Sequence, residues 1–117
     1  MTLHLVSTTV ASPEDAHRLA RTLVEQRLAA CVQVTAVDST YRWDGRIEHA
    51  REWRLEAKTP PDRVPALLRA LRERHPYEVP DLHVVVVETA DPAYAAWAVQ
   101  QTRPDADDGA AADKATA

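Results

Sequence analysis

The sequence predicts an α+β protein in which two helices cover one face of an antiparallel sheet. Strand-like alternation and helix-like spacing of apolar residues follow one another in the order β-α-β-β-α-β, and a further short helix follows the last strand. An Asp-Gly pair joins the two middle strands into a long hairpin. This order is that of a ferredoxin-like sandwich. We assign residues 1–103 to the domain and residues 104–117, which carry no hydrophobic periodicity, to a disordered tail.

The first two elements are a short strand over residues 3–9 and a capped helix. Ser12 is a typical N-cap residue, Pro13 suits the first helical position, and Asp15 follows three residues after the cap. Apolar residues at helical spacing predict the stripe that faces the core. This stripe comprises Ala16, Leu19, Ala20, Leu23, Val24 and Leu28.

A long β-hairpin over residues 31–59 organises the rest of the chain. Asp44-Gly45 predicts a type I′ turn, because both central residues of that turn have positive φ. After the turn, apolar and polar residues alternate as in a strand with one buried face. Before the turn the apolar residues change parity, so we expect a bulge or bend near residues 35–37.

The distal part of the hairpin, residues 38–50, which we call the arm, is longer than a chain of this size can cover with its own helices. It is either a flexible exposed ribbon or a device for assembly with other copies of the chain, since exposed strand edges and aromatic residues usually mark a partner surface. In the second case Tyr41, Trp43 and, in the last helix, Trp97 are packing anchors at the interface between copies rather than a ligand cage.

The sheet face away from the helices is too apolar for full exposure, which again favours assembly. We expect this face to carry Arg54, Glu56, Lys58, Val6 and Val85. An odd-numbered ring would allow such faces to meet inside, although the pattern alone does not fix the number of subunits.

The second half of the chain contains a helix, a connector, a strand and a final helix. The second helix ends by His75, because the residue before a proline avoids the helical region. Residues 75–80, HPYEVP, form a connector stiffened by two prolines. Residues 82–87 are apolar on both faces and predict a strand buried on both sides, in the monomer or against a neighbour. Asp91-Pro92 caps the final helix.

Composition disfavours several classes of function. A formal net charge of −4 provides no basic stripe, so we expect no nucleic-acid partner. No apolar run approaches the ~20 residues of a membrane span, and the N-terminus lacks the layout of a signal peptide, so we expect no membrane association and a cytoplasmic location. The single cysteine, Cys31, excludes an internal disulfide and suits the cytosol. Two glycines provide no phosphate-binding loop, which argues against a nucleotide enzyme of the P-loop or dinucleotide kind. Residues 8–13 lack the arginine that an acylphosphatase would need, which argues against that hydrolase as well.

Five blocks of sequence carry a resemblance to a known family. They are residues 27–31 (RLAAC), residues 41–45 (YRWDG) with Ile47 and Glu48 just after, residues 58–59 (KT), residues 75–80 (HPYEVP), and Tyr94 with Trp97. In their order and spacing, over roughly residues 3–103, the chain resembles the CutA family of divalent-cation-tolerance proteins.

The resemblance implies a ferredoxin-like subunit in a homotrimer built like the nitrogen-regulatory PII proteins, with the long hairpin reaching across subunits. It also implies a link to copper and other divalent ions, in a family without an agreed catalytic reaction. Two departures matter. Thr35-Ala36 stands where the family often has Pro-Gly, and Ser7 or Thr8 stands where copper-binding members have a cysteine. A metal site of the family would therefore transfer only in part, through His75.

Few residues are candidates for metal binding. His75, beside Tyr77 and Glu78, is the candidate metal ligand; the alternative is that its imidazole satisfies carbonyls at the helix C-terminus. Cys31 is either a small buried hydrophobe or a soft ligand or thiolate nucleophile. The chain has no CxxC or HxxxH spacing, so a complete metal site needs residues from several copies of the chain.

A ligand cleft between subunits is a further prediction. Lys58, near a subunit boundary, would pair with Glu48 or Glu78 or bind an anionic ligand; the alternative is a simple inter-strand ion pair. The residues assigned to this cleft are Cys31, Trp43, Glu48, Lys58, Tyr77 and Glu78.

The sequence thus favours a cytoplasmic, non-enzymatic homotrimer of the CutA type that binds divalent metal ions, copper among them, with no obligatory cofactor. The alternative is a PII-like small-molecule sensor or trimeric scaffold with its ligand cleft between subunits.

Overall fold

The chain follows the predicted order of strands and helices. The computed structural model describes residues 2–104. Within them the elements are β1 (Leu3–Val10), α1 (Pro13–Glu25), β2 (Cys31–Trp43), β3 (Arg46–Thr59), a 3-10 turn (Pro61–Arg63), α2 (Val64–Arg74), β4 (His83–Val87) and α3 (Pro92–Gln101). The prediction of an α+β protein with an antiparallel sheet is confirmed. The strands of this part of the chain form one sheet in the order β2-β3-β1-β4, and each neighbouring pair is antiparallel.

Of the predicted tail, residues 105–117 lie outside the described residues. Within residues 2–104, every helix is too short or too polar to cross a membrane.

The start of α1 is set by the predicted capping residues. The Ser12 hydroxyl accepts a hydrogen bond from the Asp15 backbone N–H at 3.1 Å, and proline occupies the first turn. Leu19 and Leu23 are buried, as predicted, but Val24 is an exposed side chain. Val24 lies roughly 100° round the helix from Leu23, beyond the edge of the contact with the sheet, because an α-helix turns by that angle per residue.

The hairpin turn is the predicted one, whereas the predicted bulge is wrong. Asp44 and Gly45 have φ of 51° and 75°, the positive pair that a two-residue type I′ turn requires. Pairing runs without interruption from Cys31 opposite Lys58 to Trp43 opposite Arg46, so neither strand carries an extra residue. The apolar residues of β2 change parity for another reason: Val32 and Val34 face the core, whereas Tyr41 and Trp43 in the arm face the opposite side of the sheet.

The main core lies between the sheet and the helices α1 and α2. Its members are Val6, Val10, Ala16, Leu19, Leu23, Leu28, Ala29, Leu55, Ala57, Leu67, Ala70 and Leu71. Val6 therefore belongs to the covered face, and its predicted place on the open face is wrong. Val6 pairs with Ala57 across the strands, and the two side chains must point the same way.

The helix α3 packs against the other side of the sheet, which we call the open face. Leu3, one residue out of phase with the covered positions of β1, is buried with Ala95 and Ala98 of α3. The Tyr94 and Trp97 rings lie 5.5 Å apart beside this second cluster. α3 thus covers one end of the open face.

The strand β4 is an edge strand, and three of its four valines are exposed. Val85 and Val86 remain 48% and 62% exposed. Because neighbouring residues of a strand point to opposite faces, these exposures show that the prediction of burial on both faces within the monomer is wrong. β4 pairs with β1 at one edge, and no strand of residues 2–104 pairs with its other edge. Burial against a neighbour stays a prediction.

The arm extends the molecule well beyond the core. The partner strand β1 ends at Val10, opposite Trp53, so the hairpin beyond that point is a two-stranded ribbon. The longest dimension of the molecule is 49 Å, against 28 and 26 Å for the other two. Tyr41, Trp43 and Ile47 are exposed on this ribbon.

Candidate functional site

A cleft of about 590 Å³ lies where the connector between α2 and β4 passes the end of β1 and approaches the arm. Residues at alternate positions of β2 and β3 form its floor, because they share the open face of the sheet. The lining side chains that carry charge or an aromatic ring are Tyr41, Trp43, Glu52, Arg54, Tyr77, Glu78 and Asp81. We call this the arm cleft.

A hydrogen bond between Tyr77 and Glu52 fixes the connector over the sheet. The Tyr77 hydroxyl donates to Oε2 of Glu52 at 2.8 Å, and Glu52 is only 8% exposed. Burial and the neighbouring Glu52 carboxylate raise the pKa of Tyr77 above its ordinary value. The phenol is therefore protonated at neutral pH and serves as a donor to a charged acceptor, which makes a strong hydrogen bond.

His75 ties the start of the connector to the end of β1. Its Nδ1 accepts a hydrogen bond from the Tyr77 backbone N–H at 3.1 Å. Its Nε2 lies 2.9 Å from the Thr9 carbonyl oxygen and 3.0 Å from the Thr8 hydroxyl, so Nε2 carries the proton that the carbonyl accepts. Burial lowers the pKa of His75, which keeps the imidazole neutral at pH 7.

These contacts bear on the predicted roles of His75. Its hydrogen-bond partners belong to β1 and to the connector, and none is a carbonyl of the last turn of α2. The imidazole therefore joins the connector to β1 rather than capping the helix. Both ring nitrogens are engaged, and ligation of a metal ion would require the ring to release one of them. The metal role of His75 stays a prediction.

Arg54 is the basic side chain of the cleft lining and is held on one wall. Its guanidinium donates to the Ser7 hydroxyl at 2.5 Å and lies 3.8 Å from the Asp81 carboxylate. The same carboxylate lies 2.7 Å from Nδ1 of His83 at the start of β4. Asp81 therefore links the connector to both β3 and β4.

A second group of predicted residues lies at the opposite end of the open face. Cys31 and Lys58 are direct cross-strand partners. The Lys58 ammonium donates to Gln33 Oε1 at 3.1 Å and lies 5.7 Å from the centre of the Tyr94 ring. Burial, and then the charge and side-chain hydrogen bond of Cys31, raise the pKa of Tyr94 to about 12.

The predicted ligand-site residues thus fall into two groups within one chain. Trp43, Tyr77 and Glu78 line the arm cleft, whereas Cys31 and Lys58 lie beside α3. The remaining residue, Glu48, is the cross-strand partner of Tyr41 but is not one of the residues that line the cleft. A single cleft formed from all six by several copies of the chain stays a prediction, as does the interface role of Tyr41, Trp43 and Trp97.

Sequence reasoning missed Glu52, Arg54 and the Asp81–His83 pair. Glu52 and Arg54 fell on the polar face of β3, and their burial follows from the path of the connector, which the sequence does not specify. The Asp-x-His spacing was visible and placed a carboxylate beside an imidazole. Within residues 2–104, no group of three His, Cys, Asp or Glu side chains lies close enough together to hold one metal ion.

Comparisons with known proteins agree with this structure. The sequence model of the family described as CutA1 divalent ion tolerance protein matches residues 4–101. The mouse protein CutA is 38% identical over 104 residues, which are 88% of this chain and 59% of that protein, so the chain spans little more than half of this relative. The divalent-cation tolerance protein CutA of Pectobacterium atrosepticum is 39% identical over 89 residues, 74% of this chain and 81% of that protein.

Solved structures of the same family superpose closely on the chain. CutA from Synechococcus elongatus is 35% identical with a TM-score of 0.85, and the match covers 87% of this chain and 91% of that one. A protein from Archaeoglobus fulgidus, described as a periplasmic divalent cation tolerance protein CutA, is 27% identical with a TM-score of 0.84 over 86% of this chain and 99% of that one. The predicted resemblance is confirmed: the chain belongs to the CutA1 family of divalent ion tolerance proteins.

Proposed function

We propose that this protein is a cytoplasmic, non-enzymatic homotrimer that binds divalent cations, copper among them, at sites between subunits. Its subunit would be a ferredoxin-like sandwich, which the strand order β2-β3-β1-β4 supports. Membership of a family named for divalent ion tolerance supports the class of ligand. The single cysteine, a free and half-buried thiol, supports a reducing compartment.

The exposed apolar surface supports the assembly. The valines of β4 stand on an open strand edge, and the exposed aromatic residues Tyr41 and Trp43 stand on a ribbon that its own chain leaves two-stranded. Both features are liabilities in a monomer, because an open edge pairs readily with another chain. A closed ring, as in the PII-like trimer, would bury both surfaces without leaving a free end that adds further subunits.

The observation that carries the metal proposal is the Asp81–His83 pair. Asp81 accepts a hydrogen bond from Nδ1 of His83, which places the lone pair of the imidazole on Nε2. A carboxylate that orients a histidine in this way is the common arrangement behind metal-binding histidines. The side chain of His83 is exposed beside the open β4 edge, so a second copy docked there would bring further ligands to it.

Copper titration of three histidine variants and one aspartate variant tests this assignment. We expect His83→Gln to weaken Cu(II) binding at least tenfold and Asp81→Asn to weaken it by about tenfold, the usual effect of losing an orienting carboxylate. The control is His17→Gln, an exposed histidine on α1 far from β4. His75→Ala tests His75, the metal ligand that the sequence suggested. A tenfold loss of Cu(II) affinity in this variant, with unchanged affinity in His83→Gln, would assign the site to His75 instead.

The second candidate function is a small-molecule sensor or scaffold with PII-like logic. The volume of the arm cleft and the fixed Tyr77–Glu52 bond favour it, since ligand sites are usually preformed concave surfaces with few oriented polar groups. Thermal-shift screening against small metabolites tests it. If no metabolite in the screen raises the melting temperature, the protein is not a sensor of this kind.

A further inference from the structure

The outer face of α2 carries positive charge that the rest of the described domain leaves unpaired. Arg69, Arg72 and Arg74 are exposed on this helix, and Glu73 is its only acidic side chain. Within residues 2–104, none of these three guanidinium groups forms an ion pair or a side-chain hydrogen bond. Arg69 and Arg72 lie three residues apart and therefore on one side of the helix, away from its buried positions. We call this side the basic face of α2.

The chain leaves the described domain beside the start of this helix. The guanidinium of Arg103 donates two hydrogen bonds to the Asp62 carboxylate, at 2.5 and 3.0 Å. Asp62 lies in the 3-10 turn directly before α2. The Arg27 guanidinium donates to the Gln101 carbonyl at 3.2 Å, and this bond also holds the end of α3. The segment after residue 104 is therefore anchored next to the first turn of α2.

The segment anchored there, residues 105–117, is acidic. It contains four aspartates and one lysine, and the aspartates nearest the domain are Asp105, Asp107 and Asp108. An extended chain advances roughly 3.3–3.6 Å per residue, so the second and third of these aspartates can reach about 13–18 Å from Arg103. The rise of an α-helix puts Arg69 and Arg72 roughly 10 and 15 Å along the axis from Asp62. The opposite charges therefore stand at matching distances from one anchor.

We propose that the acidic segment, residues 105–117, docks on the basic face of α2 of its own chain. Its second and third aspartates lie beside the two arginines of that face. Exposed ion pairs are individually weak, but the tether holds the segment at an effective concentration on the order of millimolar, which favours the contact. The docked segment neutralises the basic face and denies it to other anionic partners. This inference goes beyond the proposed metal-binding trimer, because α2 lies on the side of the sheet away from the open face.

Paramagnetic broadening of nuclear magnetic resonance signals in the full chain tests the proposal. Ala111→Cys in a Cys31→Ser background places one nitroxide in the segment, and the backbone amides around Arg69 and Arg72 report its proximity. A tethered segment also approaches α2 by chance, so the decisive comparison is with a chain in which Asp105, Asp107 and Asp108 are all changed to Asn. We expect the broadening of the α2 amides at low salt to fall at least about twofold in that variant, and also in the unchanged segment at about 1 M salt, where the Debye length is about 3 Å. Equal broadening with and without the aspartates would overturn the proposal.

Matched arginine variants locate the docking surface. Arg69 and Arg72 are exposed, so the double variant Arg69→Gln, Arg72→Gln should fold normally, and we expect it to lower the broadening of the α2 amides as much as the loss of the aspartates does. The control is Arg18→Gln, Arg21→Gln, which removes the same charge from the exposed side of α1, with no expected change. Equal losses in the two double variants would mean general attraction to the charge of the domain and would overturn the assignment to α2.

A mixed sample distinguishes docking within one chain from docking on a neighbouring copy. Chains with the nitroxide but without ¹⁵N are refolded together with ¹⁵N-labelled chains that carry no nitroxide. We expect the α2 amides of the ¹⁵N-labelled chains to stay sharp. Broadening as strong as in the singly prepared sample would assign the contact to the segment of another copy and overturn docking within the chain. None of these readouts depends on bound metal, so failure of the metal proposal leaves them unchanged.

Discussion

The hydrogen bond between Tyr77 and Glu52 offers a direct test of how the connector is held on the sheet. Tyr77→Phe keeps the ring, and with it the 4.9 Å contact to the His75 ring, and removes only the hydroxyl. Oε2 of Glu52 then loses its donor while the carboxylate stays largely buried. A hydrogen bond to a charged group contributes about 1.5–3 kcal/mol to stability. Because the cleft is open and water can reach part of the carboxylate, we expect a loss near the lower end, about 1.5 kcal/mol.

Equilibrium unfolding in urea at one fixed protein concentration measures this loss. The matched control is Tyr41→Phe, since the Tyr41 hydroxyl makes no hydrogen bond within residues 2–104 and the side chain is exposed. We expect that substitution to change the free energy of unfolding by less than about 0.5 kcal/mol, as for most surface positions. Equal losses in the two variants would refute the structural role of the Tyr77–Glu52 bond.

A double-mutant cycle sharpens the result. Glu52→Gln keeps an acceptor of similar shape and removes the charge. If the two side chains interact directly, the losses of Tyr77→Phe and Glu52→Gln will not add, and the difference will be about 1 kcal/mol. If the two losses in the free energy of unfolding simply add, the two side chains do not stabilise each other.

Three further predictions concern pH, the hairpin turn and the arm. Burial lowers the pKa of His75 below its usual 6.5, against the opposing charges of Glu52 and Asp81, so the unfolded chain binds more protons than the folded one. Stability should therefore be full above pH 6.5 and fall as the pH drops towards the folded pKa; urea unfolding between pH 5 and 7.5 should show a shallower fall in His75→Gln, and identical slopes would contradict this. Gly45 has a φ of 75° with free space around its α-carbon, so Gly45→Ala should cost about 1 kcal/mol through backbone strain alone and Gly45→Asn distinctly less, which chemical denaturation would reveal; equal costs would point to a packing effect. Replacing Tyr41 and Trp43 together with Ala should lower the melting temperature and weaken its dependence on protein concentration, because folding and assembly are then uncoupled; a wild-type melting temperature that does not vary with concentration would exclude the arm from any interface.

Local chemistry sufficed to predict much of the fold. The Ser12 cap and the Asp44-Gly45 turn are specified by residues within a few positions of one another, and both are found as expected. Alternation and helical spacing likewise predicted the order of the elements. The predicted bulge failed because a change in apolar parity has two physical causes. The strand can gain a residue, or the apolar face can change sides where the helices stop covering the sheet, and only the register distinguishes them.

The arm cleft was beyond sequence reasoning because long-range contacts create it. His75 binds the Thr9 carbonyl, 66 residues away in the chain, and this contact directs the connector towards the arm. Glu52 is largely buried, and Tyr77 of that connector donates a hydrogen bond to it. Alternation correctly placed Glu52 on the polar face of β3, but it could not distinguish a solvated carboxylate from one covered by a distant segment.

Assembly lies outside what one chain specifies. Burial of Val86 and Trp43 depends on what another copy presents to them, and the same holds for any metal ligands that His83 would share with a neighbour. The sequence identified the arm and the apolar fourth strand as unusual surfaces, and the structure locates both on the outside of the monomer.

Native mass spectrometry of the full chain, alone and with sub-stoichiometric Cu(II), tests the central proposal most directly. We expect a trimer that takes up a small whole number of copper ions, and the same trimer with reduced uptake in His83→Gln. A monomer would contradict the assembly inferred from the arm and the β4 edge. A trimer that shows only graded, non-stoichiometric copper adducts would contradict the metal function.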